Sequence, residues 1–460
     1  MALLISIAQS GAGLRRRHPA VKCEQVRALG GVNLDPVRAR GVFAGMRVVA
    51  VVAAGLLSFA ARAQTKPVKL ALIAPLSGPW ARQGQLVRLG AEMARDEIND
   101  KGGIKALGGA KLELVVADAG DNTEKAKNAA QRLLAQEPDL VGGTGAWLSS
   151  FTLSVTEVTE RAQLPWVTLS YSDAITNRGF KFVFQTSPTA DHQAEETLPT
   201  ALKLAQAATG KRPTTIGILQ DNTASPVSFG KQLREGGGLA KAGLKATVDE
   251  IFTPPLSDAT PLVGKVRSAR PDFLLLLISA MPDVKLVLEK LDEFKLAKGK
   301  MPLVGNGAPV GAPELLKTIG PELLEGMLFS VADWPMKGQE EFIERFKKRT
   351  GEPWLTQDSL TAYGDMWIFK EALEHAGAAD KLKVAEALRG INLTTGPAAA
   401  CFPGPIKFDD KGRRVDVPMI FAQWQKGVPV TVFPEDRALA KPFWPSVWRG
   451  ALPPARCLQG

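Results

Sequence analysis

From Val68 onward the chain alternates short apolar strands with helices, and it runs through this alternation twice. VKLALIAPL opens as a strand, and the helical period over 84–98 puts Leu86, Leu89, Met93 and Ile98 on one side. KLELVVAD, DLVGG and LPWVTLS read as further strands, separated by helices over Thr123–Gln136 and Ser149–Arg161. This pattern signals βαβ units and a parallel sheet covered on both faces. The rhythm then restarts with a strand at 214–219, a helix over 228–242, the strand KATVDEIF and a helix over Thr260–Ala269. DFLLLLIS is apolar enough to belong at the centre of a sheet; a helix over 283–294 and the strand MPLVGNG complete the second series. The expected fold is therefore α/β, with two Rossmann-like lobes built on similar parallel sheets. GMLFSVADW (strand), helices over 339–349 and 361–376, and the hairpin MIFAQWQKGVPVTVF read as returns to those lobes rather than a third domain. No repeat of solenoid length occurs.

A chain of 460 residues, 45% hydrophobic and 23% charged, suits two domains of ordinary size. Its net charge of +10 invites a nucleic-acid reading, but the excess is local. Residues 1–63 hold nine Lys/Arg against two acids, which leaves the remainder at only +3. A basic binding surface is not indicated, and no nucleic-acid partner is expected.

The basic leader contains a recognisable export pattern. Met46-Arg47 precedes the apolar run VVAVVAAGLLSFAA, and Ala61-Arg62-Ala63 supplies the small residues of a cleavage site. The run falls short of the ~20 residues of a membrane-spanning helix. Cleavage after Ala63 is expected, with 46–63 as signal peptide and 1–45 upstream of the true start. Arg15-Arg16-Arg17 would permit a twin-arginine signal, but no long apolar stretch follows closely. No cysteine ends the apolar run, so no lipid anchor is expected. Of three cysteines, Cys401 and Cys457 remain after cleavage; export permits their pairing, and the sequence leaves it open.

Catalytic motifs are absent from the sequence. His192 and His375 lack metal-ligand spacing, and there is no HExxH, GxSxG or GxxxxGK[ST]. Gly142, Gly143 and Gly145 follow a strand, but Leu148 stands where a dinucleotide fingerprint needs its third glycine. A tight strand-to-helix turn is the simpler reading. Neither an enzyme activity nor any metal or other cofactor is expected.

Several stretches together resemble the branched-chain amino-acid-binding family of periplasmic solute receptors. They are IAPLSGPWARQGQLVRLGAEMARDEINDKGGI, KLELVVADAGDNTEKAKNAAQRLL, LVGGTGAWLSSFTLSVTEVTERAQLPWVTLSYSD, FVFQTSP, LLEGMLFSVADW, GPIKFDDKGRR and FAQWQKG, covering 66–434. The resemblance implies a type I "Venus flytrap" with two lobes joined by three crossovers, near 182–188, 327–334 and 420–426. Lobe one would hold 66–184 with 333–419, lobe two 185–326 with 420–434, and 435–460 would form a C-terminal tail. It also implies a small-molecule ligand between the lobes and an ABC permease in the inner membrane as partner. The receptor itself is expected to be a periplasmic monomer.

Candidate ligand contacts follow from the strand-end rule for open α/β sheets and from this resemblance. Ser149 and Ser150 start a helix, where free N–H groups suit a carboxylate; capping that helix is their other reading. Ser170, Tyr171 and Ser172 form the corresponding second polar loop, which could equally be a turn. Trp80 and Trp147 are candidate walls or core residues. In lobe two the candidates are Asp221, Asn222, Phe229, Asp258, Ala280 and Asn306. Phe229 replaces the Tyr usual in the family. The acidic residue that pairs with an amino acid's ammonium group is not clearly present; Asp258 is adjacent, or merely caps the helix at Thr260. An unpaired buried ammonium is costly, so an amide or an aromatic or aliphatic carboxylate fits as well as an amino acid. A sensory receptor of the same fold is the alternative to a transport receptor, with an exported enzyme a more remote one.

Overall fold

The computed structural model describes residues 65–445. Its first sheet contains β1 (Val68–Ala74), β2 (Leu112–Asp118), β3 (Leu140–Gly145), β4 (Trp166–Thr168) and β5 (Val183–Gln185) in the order β2-β1-β3-β4-β5. Every pairing is parallel. The second sheet contains β6 (Thr215–Asp221), β7 (Lys245–Phe252), β8 (Phe273–Leu277), β9 (Leu303–Asn306) and β10 (Leu328–Val331). These run β7-β6-β8-β9-β10, again parallel and in the same 2-1-3-4-5 order. A two-residue ribbon follows, β11 (Asn392–Leu393) with β12 (Ile406–Lys407). The terminal hairpin, β13 (Ile420–Gln425) and β14 (Val428–Phe433), adds two antiparallel strands to the edge at β10.

Burial explains the central strands. Phe273 through Leu277 are all inaccessible, as a strand flanked by neighbours and covered by helices requires. One apolar cluster joins β1 and β3 to the helices Ala81–Asp100 and Gln357–Ala376; two others flank the second sheet. The chain thus leaves the first lobe after β5, returns after β10, and leaves again for β13. Residues 435–445 lie along the second lobe, with Trp444 edge-on to Phe273 at 6.0 Å.

Three segments differ from the sequence reading. The helix expected over 228–242 is two helices, Ala224–Arg234 and Gly238–Ala242. Glu235, Gly236 and Gly237 separate them, and Gly237 takes φ +75°, which glycine adopts without strain. The 20-residue helix Ala190–Thr209 was not anticipated; Pro199 sits inside it and interrupts the usual helix signal. Finally, the helix expected from 361 begins at Gln357. That helix is buried almost all round, so polar and apolar faces do not mark its start.

The glycines of β3 make room for packing. A Cβ on Gly142 would lie 2.3 Å from the Phe369 ring, and one on Gly143 2.4 Å from Trp166. Cys401 is buried with a free thiol; Cys457, like the proposed leader and signal segment, lies outside the described residues. Among the described residues, no helix is long and apolar enough to cross a membrane.

Candidate functional site

In a sheet of order 2-1-3-4-5 the crevice opens beyond the carboxyl ends of the strands, on either side of the first one. Both lobes place such a crevice against the same cavity, which encloses about 440 Å³ of empty space, part of it open to solvent. Trp147, Leu148, Ser149, Leu169, Tyr171 and Gln357 line it from the first lobe. Ser225, Pro226, Ile278, Ser279, Asn306, Gly307, Ala308 and Pro309 line it from the second. No lining residue among the described residues carries a charge.

Trp147 stands in the turn between β3 and the helix Ser149–Arg161, at φ +44°. Its indole N–H donates to Asp358 Oδ1 at 2.7 Å, which fixes the ring as a wall. Burial pushes the Asp358 carboxyl up to about 7, against the opposing pull of the Trp147 hydrogen bond and the Arg82 charge.

Ser149 is buried, and its hydroxyl oxygen accepts the N–H groups of Tyr171 and Ser172, each at 3.1 Å. The hydroxyl proton has no acceptor among the described residues. The helix starts from Leu148 without a side-chain cap, so neither serine caps it. The N–H groups of Ser149 and Ser150 occupy its first turn, beyond reach of any intrahelical carbonyl. Ser150 Oγ instead accepts the N–H of Ala224 at 3.0 Å, at the start of a helix in the opposite lobe. Ser172 Oγ meets Ser228 Oγ at 2.8 Å, and Arg82 pairs with Glu314 at 2.8 Å. These contacts bridge the lobes, so the structure is a closed arrangement.

Tyr171 shows how the wall connects to the strands between lobes. Its hydroxyl donates to Gln357 Oε1 and accepts the N–H of Ala332 at 3.1 Å. Gln357 Oε1 also accepts that N–H at 2.9 Å, while the Gln357 amide nitrogen keeps no partner among the described residues. Burial pushes the Tyr171 phenol well above its usual range, so it stays neutral.

In the second lobe, Asp221 lies one layer behind the cavity. Oδ1 accepts the N–H and hydroxyl of Thr223 at 2.8 and 2.6 Å; Oδ2 accepts the N–H and hydroxyl of Ser279 at 2.6 and 2.7 Å. Asn306 donates through Nδ2 to Gln193 Oε1 at 2.5 Å and to Ser330 Oγ at 3.2 Å.

The structure therefore brings Trp147, Ser149, Tyr171 and Asn306 to the cavity, with Ser150 and Ser172 beside it across the lobe interface. Other candidates stand apart from the lining. Trp80 is packed edge-on against Phe151 at 5.5 Å. Ser170 is buried, its hydroxyl donating to the Trp147 carbonyl at 2.7 Å. Asn222 is exposed, its amide donating to Thr253 Oγ1. Phe229 is core, and Ala280 is fully buried where the helix Met281–Glu293 begins. Asp258 is exposed and bound locally: the Thr260 hydroxyl and N–H hold its carboxyl below the usual range.

Sequence reasoning missed Gln357, Ser225, Pro226, Ile278, Ser279 and Pro309. Five of these follow the ends of β6, β8 or β9, and the strand-end rule applied to every strand would have found them. Gln357 was lost with the misplaced helix start.

The likenesses of the chain agree with this geometry. A family model of periplasmic binding proteins matches residues 67–429. The Leu/Ile/Val-binding protein homolog 7 of Brucella suis is 30% identical over 405 residues, 86% of this chain and 98% of that one. The leucine-binding protein LivK of Thermotoga maritima superposes with TM-score 0.68 at 22% identity, covering 79% of this chain and 97% of that one. An ABC-transporter solute-binding protein of R. palustris, solved in complex with benzoate, gives TM-score 0.66 at 15% identity over 80% of this chain and 95% of the other. With its two parallel-sheet lobes and a family match running from β1 into the terminal hairpin, the chain belongs to the periplasmic binding proteins of the branched-chain amino-acid-binding type.

Proposed function

We propose that this protein is the periplasmic receptor of an ABC importer, capturing a small organic solute between its lobes and presenting the closed form to a membrane permease. One observation carries the reading: a single concave cavity between the lobes, lined by apolar and uncharged polar side chains from both of them, as small-molecule sites are. The same reading takes the solute from among amino acids, amides and aromatic or aliphatic carboxylates, acts without a cofactor and involves no catalytic step. It includes cleavage after Ala63, release as a monomer, and lobes at 66–184 with 333–419 and at 185–326 with 420–434.

Closure supplies the signal. Ser150–Ala224, Ser172–Ser228 and Arg82–Glu314 form only when the lobes meet, so a solute that fills the cavity selects the form that makes them. A thermal-shift screen of amino acids, amides and carboxylates on the exported protein tests this. A binder should raise the melting temperature progressively with its concentration. A screen in which no small solute binds would overturn the receptor reading.

A further inference from the structure

We infer that the solute is a monocarboxylate with an apolar, ring-sized or branched-alkyl body and no amino group, an inference that rests on the receptor reading above. The donors come first. Ser149, 2% exposed, lines the cavity with a hydroxyl whose oxygen already accepts two N–H groups and whose proton is uncommitted. Gln357, 1% exposed, lines it with an amide whose oxygen is occupied by Tyr171 and Ala332 and whose nitrogen has no partner among the described residues. Ser149 also starts a helix, where its own N–H has no intrahelical carbonyl to bond. Helix starts at Ser149 and Gln357, and at Ala224 in the second lobe, add partial positive charge. This is what a carboxylate needs when no cation is at hand.

An ammonium group has no counterpart. No lining residue is anionic, and the buried carboxyls behind the wall are either saturated, as Asp221 is, or held toward the neutral form by burial, as Asp358 is. Asp221 takes four donors from Thr223 and Ser279, and Asp358 takes the Trp147 indole. A buried ammonium would give up its water without gaining an anion. The rest of the wall, with Trp147, Tyr171, Pro226, Ile278 and Pro309, offers flat apolar faces to a ring or a branched chain.

Matched pairs read this directly by calorimetry: 3-phenylpropanoate against phenylalanine, 4-methylpentanoate against leucine, and 3-phenylpropanamide as the uncharged control. The acids should bind at least about tenfold tighter than their amino acids and than the amide. An amino acid or the amide binding as tightly as its matched acid overturns the inference. Binding of some other solute in the screen, with none of these acids bound, overturns it while leaving the receptor reading intact. Gln357→Glu keeps the oxygen that holds Tyr171 and Ala332 but replaces the donor with an anion, and should weaken the acids at least about tenfold. Unchanged affinity in a folded variant would equally overturn the assignment.

Discussion

Asp358, at a helix start in the first lobe, and Asp221, at a strand end in the second, do comparable work: each is a buried carboxyl behind the cavity, and each fixes a residue of its wall. Their surroundings differ. Asp221 receives four hydrogen bonds from two adjacent loops, whereas Asp358 receives one, from the Trp147 indole. Burial of Asp358 is therefore poorly compensated, and its carboxyl is pushed up to about 7. Two lobes with one strand order solve the same positioning problem with a saturated carboxyl on one side and an under-bonded one on the other.

Breaking the saturated side should have the larger effect. Asp221→Ala would strand two N–H groups and two hydroxyls around the ends of β6 and β8. Loss of a buried, fully bonded carboxylate costs about 3–5 kcal/mol, which urea unfolding of the ligand-free protein would measure. A loss below ~1 kcal/mol would mean that the two loops hold each other without it.

The under-bonded side should respond to pH instead. A carboxyl raised from an unfolded value of about 4 stays protonated in the folded state while the unfolded chain ionises. Its contribution to stability is complete below pH ~4 and is lost as the pH rises through about 7. Asp358→Asn keeps an acceptor for Trp147 and removes the titration. The variant should gain stability relative to the parent between pH 4 and pH 8, by on the order of 2–4 kcal/mol. Parallel unfolding curves at both pH values show the gap directly; a constant difference would show that Asp358 does not titrate in this window.

How far the sequence disclosed this arrangement depended on local signals. The start at Ser149 was legible because an apolar strand, a tight turn and a hydroxyl pair follow one another there. Phe229 and Asp258 were misleading for opposite reasons. A motif position can turn into the core, as Phe229 does, and an acid near a strand end can serve only its own turn, as Asp258 does with Thr260. Ser225, Ser279 and Pro309 follow three separate strands, β6, β8 and β9, and no spacing links them; only the sheet brings them together. Gln357 was hidden because burial around its helix removes the contrast from which a start is read.

Within the first lobe the comparison sharpens to two neighbouring serines. Ser149 serves its own lobe, holding the N–H groups of Tyr171 and Ser172, while Ser150 serves the other, holding the N–H of Ala224. Ser149→Ala leaves two buried N–H groups without an acceptor whether or not ligand is present. It should lower the stability of the ligand-free protein by about 2 kcal/mol and weaken solute binding as well. Ser150→Ala removes a bond that exists only when the lobes are closed. Ligand-free stability should stay within about 0.5 kcal/mol of the parent, since an open lobe exposes both partners to water. Affinity should fall by a factor of about five, the equivalent of one neutral hydrogen bond of ~1 kcal/mol lost from the closed form alone. Calorimetry of both variants, with melting of their ligand-free forms, separates the two roles. Equal loss of stability in both would place Ser150 in the support of its own lobe. An affinity untouched by Ser150→Ala would mean that the Ala224 contact contributes nothing to closure.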